Sequence, residues 1–256
     1  MSYTTTPINK QSSFIRPQID SQSTEEGYGF DQGVSVPAYL ESKYWWAYVR
    51  PYAISFFDHE WIVNLILLGN MAKLRDTALD ALGSSIHGRT LQIACVYGDF
   101  SPRLIERLQP GSSLDIVDVV PAQLQNVNRK LSASAPVRLF QRDSVSLMKI
   151  EDAAYDQVVL FFLLHEMPAD VRERTLSEAL RVLKPGGKLV IVDFHKPTAW
   201  NPFRYLYPPM FRLLEPFALD IWNEPIKDWL PKDFIPTQIT KQTLFGGLYQ
   251  KLVIYK

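Results

Sequence analysis

Between Arg89 and Phe194 short apolar runs alternate with amphipathic stretches, and no other feature limits the possible folds so tightly. The runs "TLQIACV", "SLDIVDVV", "VRLFQRD", "YDQVVLFFLL" and "KLVIVDF" offer little polar surface on either face, whereas "SPRLIERL", "PAQLQNVNRKL" and "ADVRERTLSEALRVL" repeat their apolar residues at helical spacing. A strand that is apolar on both sides has to be covered on both sides, so the pattern predicts an α/β, doubly wound fold with a mostly parallel sheet. Helix signals agree: Ser101 followed by Pro102 opens one helix, and "KPGG" from Lys184 closes another. The stretch "TKQTLFGGLYQKLVIYK" reads as two strands around Gly246 and Gly247, an antiparallel hairpin that brings the sheet to seven strands.

The flanking segments differ in character. Residues 1–30 are rich in Ser, Thr and Gln, hold no apolar signal core, and read as a flexible tail; Asp20, Glu25 and Glu26 argue against a transit peptide. Residues 31–84 read as a helical cap, with helical spacing from Tyr39 to Leu82 that breaks once at Pro51 and stops at Gly83, giving two or three helices. Residues 85–256 form the main domain, into which 196–235 is inserted as a lid. That insertion is crowded with Pro and aromatics and too apolar for a solvated loop. It reads as a cover for an apolar substrate, as a surface that lays Trp200, Phe203, Tyr205, Tyr207 and Phe211 on a membrane with Arg204 and Arg212 toward head groups, or as an ordinary subdomain core. Candidate substrate contacts are Tyr44, Trp45, Tyr48, Trp200 and Tyr205.

Composition narrows the partners. Lys plus Arg and Asp plus Glu balance at 27 each, so no net field points to nucleic acid. With 46% hydrophobic residues the chain has enough apolar surface for a large core. The longest apolar run, "WIVNLILLGNM", is about half of what spans a bilayer. The single cysteine, Cys95, lies in a strand pattern and suits a reducing compartment: the cytoplasm, or the mitochondrial matrix for a eukaryotic source, at a membrane face if the lid reading holds.

Open parallel sheets bind ligands beyond the carboxyl ends of their strands. There the sequence offers "ACVYGDF" after the first strand, Asp118 after the second, Asp143 in "QRDS" after the third, and His165 with Glu166 in "LLHEMP" after the fourth. Asp118 is placed to accept from both hydroxyls of a ribose and Asp143 from an exocyclic amine. His165, with an ordinary pKa near neutrality, reads either as a general base or as a metal ligand.

These motifs, above all "RVLKPGGKLVIVD" with an acid after strands two and three, resemble the class I S-adenosylmethionine-dependent methyltransferases that modify quinones, over roughly residues 85–195. The resemblance implies a Rossmann-like methyltransferase fold. In that family the first motif reads acid, three residues, Gly, any residue, Gly; here Gln92 stands for the acid, Val96 for the first glycine, and Gly98 alone remains. That departure, with "YWWAYVRPYAISFFDHEWIVNLILLGNMAKLRD" before it, resembles an offshoot, the rhodoquinone-biosynthesis RquA family. This implies replacement of a ring methoxy group of ubiquinone by an amino group, with S-adenosylmethionine as amine donor and Mn2+ assisting.

The resemblance implies cofactor contacts at Gln92, Ala94, Val96, Tyr97, Gly98, Asp118, Val119, Asp143, Ser144 and Phe162, and catalytic roles for Tyr97, Asp99 and His165. Asp99, His165 and His195 are the expected metal ligands, with Glu166 and Asp193 as reserves; strands four and five are expected to adjoin strand one. Val96 and Tyr97 put bulk where glycine admits the cofactor's amino acid end, so that end is expected to shift. Two alternatives stay open: methyl transfer to a quinone or other apolar molecule, and a non-catalytic quinone- or cofactor-binding partner.

Overall fold

The computed structural model describes residues 28–30, 34–46, 50–147 and 149–256. Strands β1 (Tyr28–Phe30), β2 (Arg89–Ile93), β3 (Ser113–Asp118), β4 (Val137–Gln141), β5 (Tyr155–Phe161), β6 (Leu183–Phe194), β7 (Gln238–Leu244) and β8 (Tyr249–Tyr255) form one sheet in the order β1-β4-β3-β2-β5-β6-β8-β7. The first six are parallel and β7 and β8 antiparallel, as the alternation and the terminal hairpin predict. The seven expected strands are present, and β1 adds an edge: the last three residues of the segment read as tail pair with Leu139–Gln141.

Alternate residues of each strand feed two cores. Leu91, Val158, Leu160, Leu189 and Ile191 face helix α7 (Ala169–Val182), while Ile116, Val159, Val190 and Val192 face the helices of the other side, including α4 (Met71–Leu82), α5 (Phe100–Ile105) and α6 (Pro121–Asn128). Both faces are therefore dry, and strands without a polar face are the consequence. One buried acid interrupts this: Asp115 in β3 accepts both a two-pronged bond from Arg138 (2.8 and 2.7 Å) and the Tyr155 hydroxyl (2.7 Å), clamping β3 to β4 and β5.

The cap has more breaks than its sequence shows. Helices α1 (Ala38–Lys43), α2 (Pro51–Phe57), α3 (Glu60–Ile66) and α4 replace the expected two or three. Pro51 opens α2 instead of interrupting a helix, and Leu68 and Gly69, at φ 54° and 78°, turn the chain between α3 and α4. The "KPGG" stretch follows α7 but lies within β6, where pairing to β5 slips between Leu183 and Lys188. A Cβ on Gly187 would come within 2.8 Å of the Asp156 carbonyl, which is why glycine stands there. The inserted segment forms α8 (Phe203–Leu214), α9 (Ala218–Asn223) and a 3-10 turn (Ile226–Trp229). No described helix is long and apolar enough to cross a membrane.

Candidate functional site

At the carboxyl ends of β2 and β5 the chain turns through two non-glycine residues in the left-handed region, Ala94 (φ 71°) and Phe162 (φ 53°). Each is held by an amide bond to the neighbouring strand, Ala94 N–H to the Val117 carbonyl and Phe162 N–H to that of Val192, both at 2.8 Å. Backbone strain of this kind persists where the surroundings over-determine it, commonly at functional sites. Above these turns opens a cavity of about 630 Å³, a size that holds a small-molecule ligand.

One half of the cavity is polar. Asp118 ends β3 with its carboxylate fixed by the Cys95 and Val120 amides, each at 2.8 Å; burial pushes its pKa up to about 6, with those amides pulling the other way. Val119, Asp143 and Ser144 line the same wall. Asp143 caps its own loop through the Val145 amide (3.1 Å), and Ser144 meets the Thr175 hydroxyl at 2.9 Å. Both acids thus stand at strand ends along one wall of the cavity.

The "VYGD" turn divides its labour. Val96 and Tyr97 line the cavity. The Tyr97 hydroxyl accepts from Gln123 (2.9 Å) and its ring stacks on Phe57 at 6.4 Å. Gly98 faces away: its N–H donates to Asp58 (3.0 Å) and its carbonyl accepts from Lys130 (2.7 Å). Gln92, which donates to the Ala94 carbonyl and accepts from Ser101 at 2.9 Å each, braces the turn from below. The expected cofactor contacts at Gln92 and Gly98 are thus supports of the turn, outside the cavity wall. Asp99 also lies outside that wall, where Arg75 (2.7 and 2.8 Å) and Arg103 (3.0 Å) occupy its carboxylate. Burial works against the charge of Asp99, but the two guanidiniums prevail and hold it below the usual carboxylate range. A saturated ion pair is not a group free to touch substrate.

At the far end of the polar half sits His165, its Nδ1 2.9 Å from Asp193, which also accepts from the Leu164 (2.9 Å) and Phe194 (2.7 Å) amides. Burial lowers the imidazole pKa, but Asp193 outweighs it and carries the value up to about 9. A value that high favours the protonated ring, which acts as a hydrogen-bond donor. Glu166 (3.7 Å from His165 Nε2) and Glu215 complete this corner.

The expected metal ligands do not converge. β6 is separated from β2 by β5, so only the fourth of the expected strands adjoins the first, and His195 lies beyond with its Nδ1 on the Gly247 carbonyl (2.7 Å). With Asp99 bound by arginines and Asp193 by three donors, the set does not fit Mn2+, and no cluster of three acids, histidines or cysteines suited to a metal occurs among the described residues.

The other half of the cavity is apolar, walled by Val63, Ile66, Leu67 and Met71 from the cap and by Phe203, Leu206, Tyr207, Met210, Phe211 and Leu214 of α8. The named substrate aromatics are mostly elsewhere. Tyr44 is buried against Phe217, Trp45 lies half-exposed under Arg50, Tyr205 points outward, Trp200 is 95% exposed, and Tyr48 lies outside the described residues. Phe203, Tyr207 and Phe211, which the sequence also offered to a membrane surface, turn into the cavity instead, because their i, i+4 spacing puts them on one face of α8. Phe57 stood out in the sequence only as one of a dense run of aromatics before the first strand of the main domain, and nothing singled out Glu215.

A family model described as "Methyltransferase domain" matches residues 90–187. The demethylmenaquinone methyltransferase of Beutenbergia cavernae is 31% identical over 180 residues, 66% of this chain and 70% of that protein. That of Thermus thermophilus is 32% identical over 155 residues, 60% of this chain and 68% of its own length. The ubiquinone/menaquinone biosynthesis C-methyltransferase of Pseudomonas fluorescens is 28% identical over 159 residues, covering 58% and 61%. Among solved structures, the N-methyltransferase NodS of Bradyrhizobium japonicum superimposes with a TM-score of 0.53 at 14% identity, over 72% of this chain and 94% of that one. At that identity the likeness is one of fold.

Proposed function

Because the chain belongs to the class I S-adenosylmethionine-dependent methyltransferase family, among the homologues of quinone biosynthesis, we propose that it binds S-adenosylmethionine in the polar half of the cavity and a polyprenyl benzoquinone in the apolar half, and transfers the amine. The product of this reading is rhodoquinone, with an amino group where ubiquinone carries a methoxy group. Bound S-adenosylmethionine supplies an α-amine as well as an activated methyl group, and the choice between them depends on which points at the ring.

The residues fit the adenosyl portion: Asp118 presents a fixed carboxylate for the ribose and Asp143 lines the same wall. The observation that carries the amine reading is the pair Val96 and Tyr97. Their side chains fill the wall at and beside the place of the family's first glycine, where the methionine end is admitted, and Phe57 and Gln123 hold Tyr97 in place. The amino acid end is thereby displaced toward the apolar half, where His165 donates to a quinone carbonyl oxygen and makes the ring carbon more electrophilic. Mn2+, which the resemblance implies, has no fitting donor set among the expected ligands, and no step is routed through it.

The relatives' methyltransferase activity favours a second reading, in which a ring atom accepts the methyl group. Incubation of the protein with ubiquinone and S-adenosylmethionine, followed by mass spectrometry of the quinone, separates the readings. Loss of a methoxy group with gain of an amino group supports the first and an added methyl group the second. Absence of any cofactor binding by calorimetry returns the protein to the class of silent binders.

The mouth of the cavity supports a membrane-side location, on the cytoplasmic or matrix face. Leu206, Met210 and Leu214 line it and are exposed, and Tyr205 and Leu213 continue the same apolar surface outward. A quinone dissolved in lipid enters there without crossing water.

A further inference from the structure

The inserted lid carries one acid inside an apolar stretch, Glu215 in "FRLLEPFAL". Pro216 follows it and bars it from helical geometry, so α8 stops at Leu214. The Glu215 amide still donates to the Phe211 carbonyl at 2.8 Å, while the backbone leaves the helix at φ −133°. This places the carboxylate in the cavity wall, at the seam between the apolar surface of Phe211 and Tyr207 and the polar corner of His165.

Its surroundings set it apart from the other buried acids. Asp115 is met by Arg89, Arg138 and Tyr155, Asp118 by the Cys95 and Val120 amides, and Asp193 by the His165 ring and three amides. Oε2 of Glu215 is closed off from solvent, and the Tyr44 hydroxyl is the one side-chain hydrogen-bond donor beside this carboxylate among the described residues. A buried carboxylate oxygen left open in a ligand cavity is a group whose partner arrives with the ligand. The charged and titratable groups facing it are His165 from the turn after β5, Asp193 from β6 and Tyr44 after α1. Burial raises the pKa of Glu215, with His165 and the hydrogen bond from Tyr44 opposing that rise, and a raised pKa makes the carboxylate a stronger base than an exposed one.

We propose that Glu215 is the catalytic carboxylate of the quinone half, the group that takes the proton shed by the attacking nitrogen. The inference rests on the amine-transfer reading. As the bond from nitrogen to the methoxy-bearing ring carbon forms, electrons move onto the carbonyl oxygen held by His165, and one N–H proton passes to Glu215. As those electrons return, the ring C–O bond breaks and methoxide leaves with the proton from Glu215, as methanol. The carboxylate is regenerated, and nitrogen now joins the ring to the α-carbon of the methionine portion. As Glu215 takes a proton from the neighbouring methylene, the bond from nitrogen to the α-carbon breaks, nitrogen takes up that proton to complete the amino group, and the rest of the cofactor leaves as an unsaturated acid, so no oxidant or reductant is needed.

The test uses the full chain, ubiquinone and S-adenosylmethionine labelled with nitrogen-15 at the amine. Wild type is assayed first: unlabelled quinone, or quinone carrying only a new methyl group, overturns the parent reading and this inference with it. Given labelled aminoquinone from wild type, Glu215→Gln is expected to bind both ligands within about twofold of wild type and to lose at least about 100-fold in turnover, the scale of a lost proton acceptor. Glu215→Gly, which vacates the site, is expected to regain turnover with added formate, a response that a merely structural carboxylate does not give. Should Glu215→Gln unfold, Glu215→Asp takes its place, with partial turnover expected. Turnover within about threefold of wild type in Glu215→Gln, or no formate rescue of a Glu215→Gly variant that still binds both ligands, overturns the proposal.

Discussion

The two halves of the cavity are built from different material. The polar half grows out of strand ends: Asp118, Ala94 and Phe162 are positioned by backbone hydrogen bonds to neighbouring strands, and Tyr97 is wedged between Phe57 and Gln123. The apolar half is made of side chains on α3 and α8, whose outer faces stay exposed, Leu213 at 81%. A ligand held by directional bonds needs a rigid frame, whereas a greasy tail needs only surface and an entrance. The contrast teaches that precision in this molecule is concentrated where the sheet can supply it.

The largest effect that sharpens this contrast is expected in the His165 corner. Asp193→Ala leaves a buried imidazolium and two amides without their acceptor. The expected loss of stability is about 3–5 kcal/mol, seen as a lower denaturant midpoint. Next comes Asp118→Ala, which removes the acceptor for two amides and for the ribose; calorimetry is expected to show cofactor affinity down by about 100-fold, or about 2.7 kcal/mol.

A pH series tests the same corner. The folded-state pKa of His165, about 9, lies above its ordinary value of 6.5, so its stabilising contribution is complete below 6.5 and is lost as the pH rises to about 9. The stability gap between wild type and His165→Asn is accordingly expected to narrow across that window. A gap that widens would reverse the sign and make His165 neutral in the folded protein.

Changes in the apolar half are expected to be milder and selective. Tyr205→Glu with Leu213→Glu is expected to cut turnover of quinone in liposomes by about tenfold while sparing a short-tailed soluble quinone, because entry and not chemistry is affected. Equal loss with both substrates would place these residues in the binding wall. The smallest effect is expected for Trp200→Ser, within about 0.5 kcal/mol of wild-type stability, since that ring touches little.

The contrast also explains what could be read in the sequence. The sheet, its terminal hairpin and the strand-end acid Asp118 announce themselves through period and position, because strand order fixes where their ends meet. Asp99 misled because its partner Arg75 lies 24 residues away on α4, a pairing that no local pattern encodes. His195 misled because β6 stands one strand further from β2 than expected. Gln92 and Gly98 stand behind the cavity wall, since a motif position tells where a residue sits on the turn and not which way it faces. Glu215 went unnoticed, and Phe57 was one aromatic among many, because helices packing from both ends of the chain create their environment. The membrane-like aromatics Trp200 and Tyr205 were singled out for bulk, but the exposed surface beside the cavity mouth runs through Leu206, Met210 and Leu213.

The most direct test of the account is a turnover experiment with S-adenosylmethionine carrying nitrogen-15 at the amine and carbon-13 at the methyl, run on wild type and on Val96→Gly with Tyr97→Gly. The account predicts nitrogen-15 and no carbon-13 in the wild-type quinone, with amine transfer sharply reduced once the two side chains are gone. Carbon-13 in the wild-type quinone, or amine transfer that survives the double substitution undiminished, would contradict it.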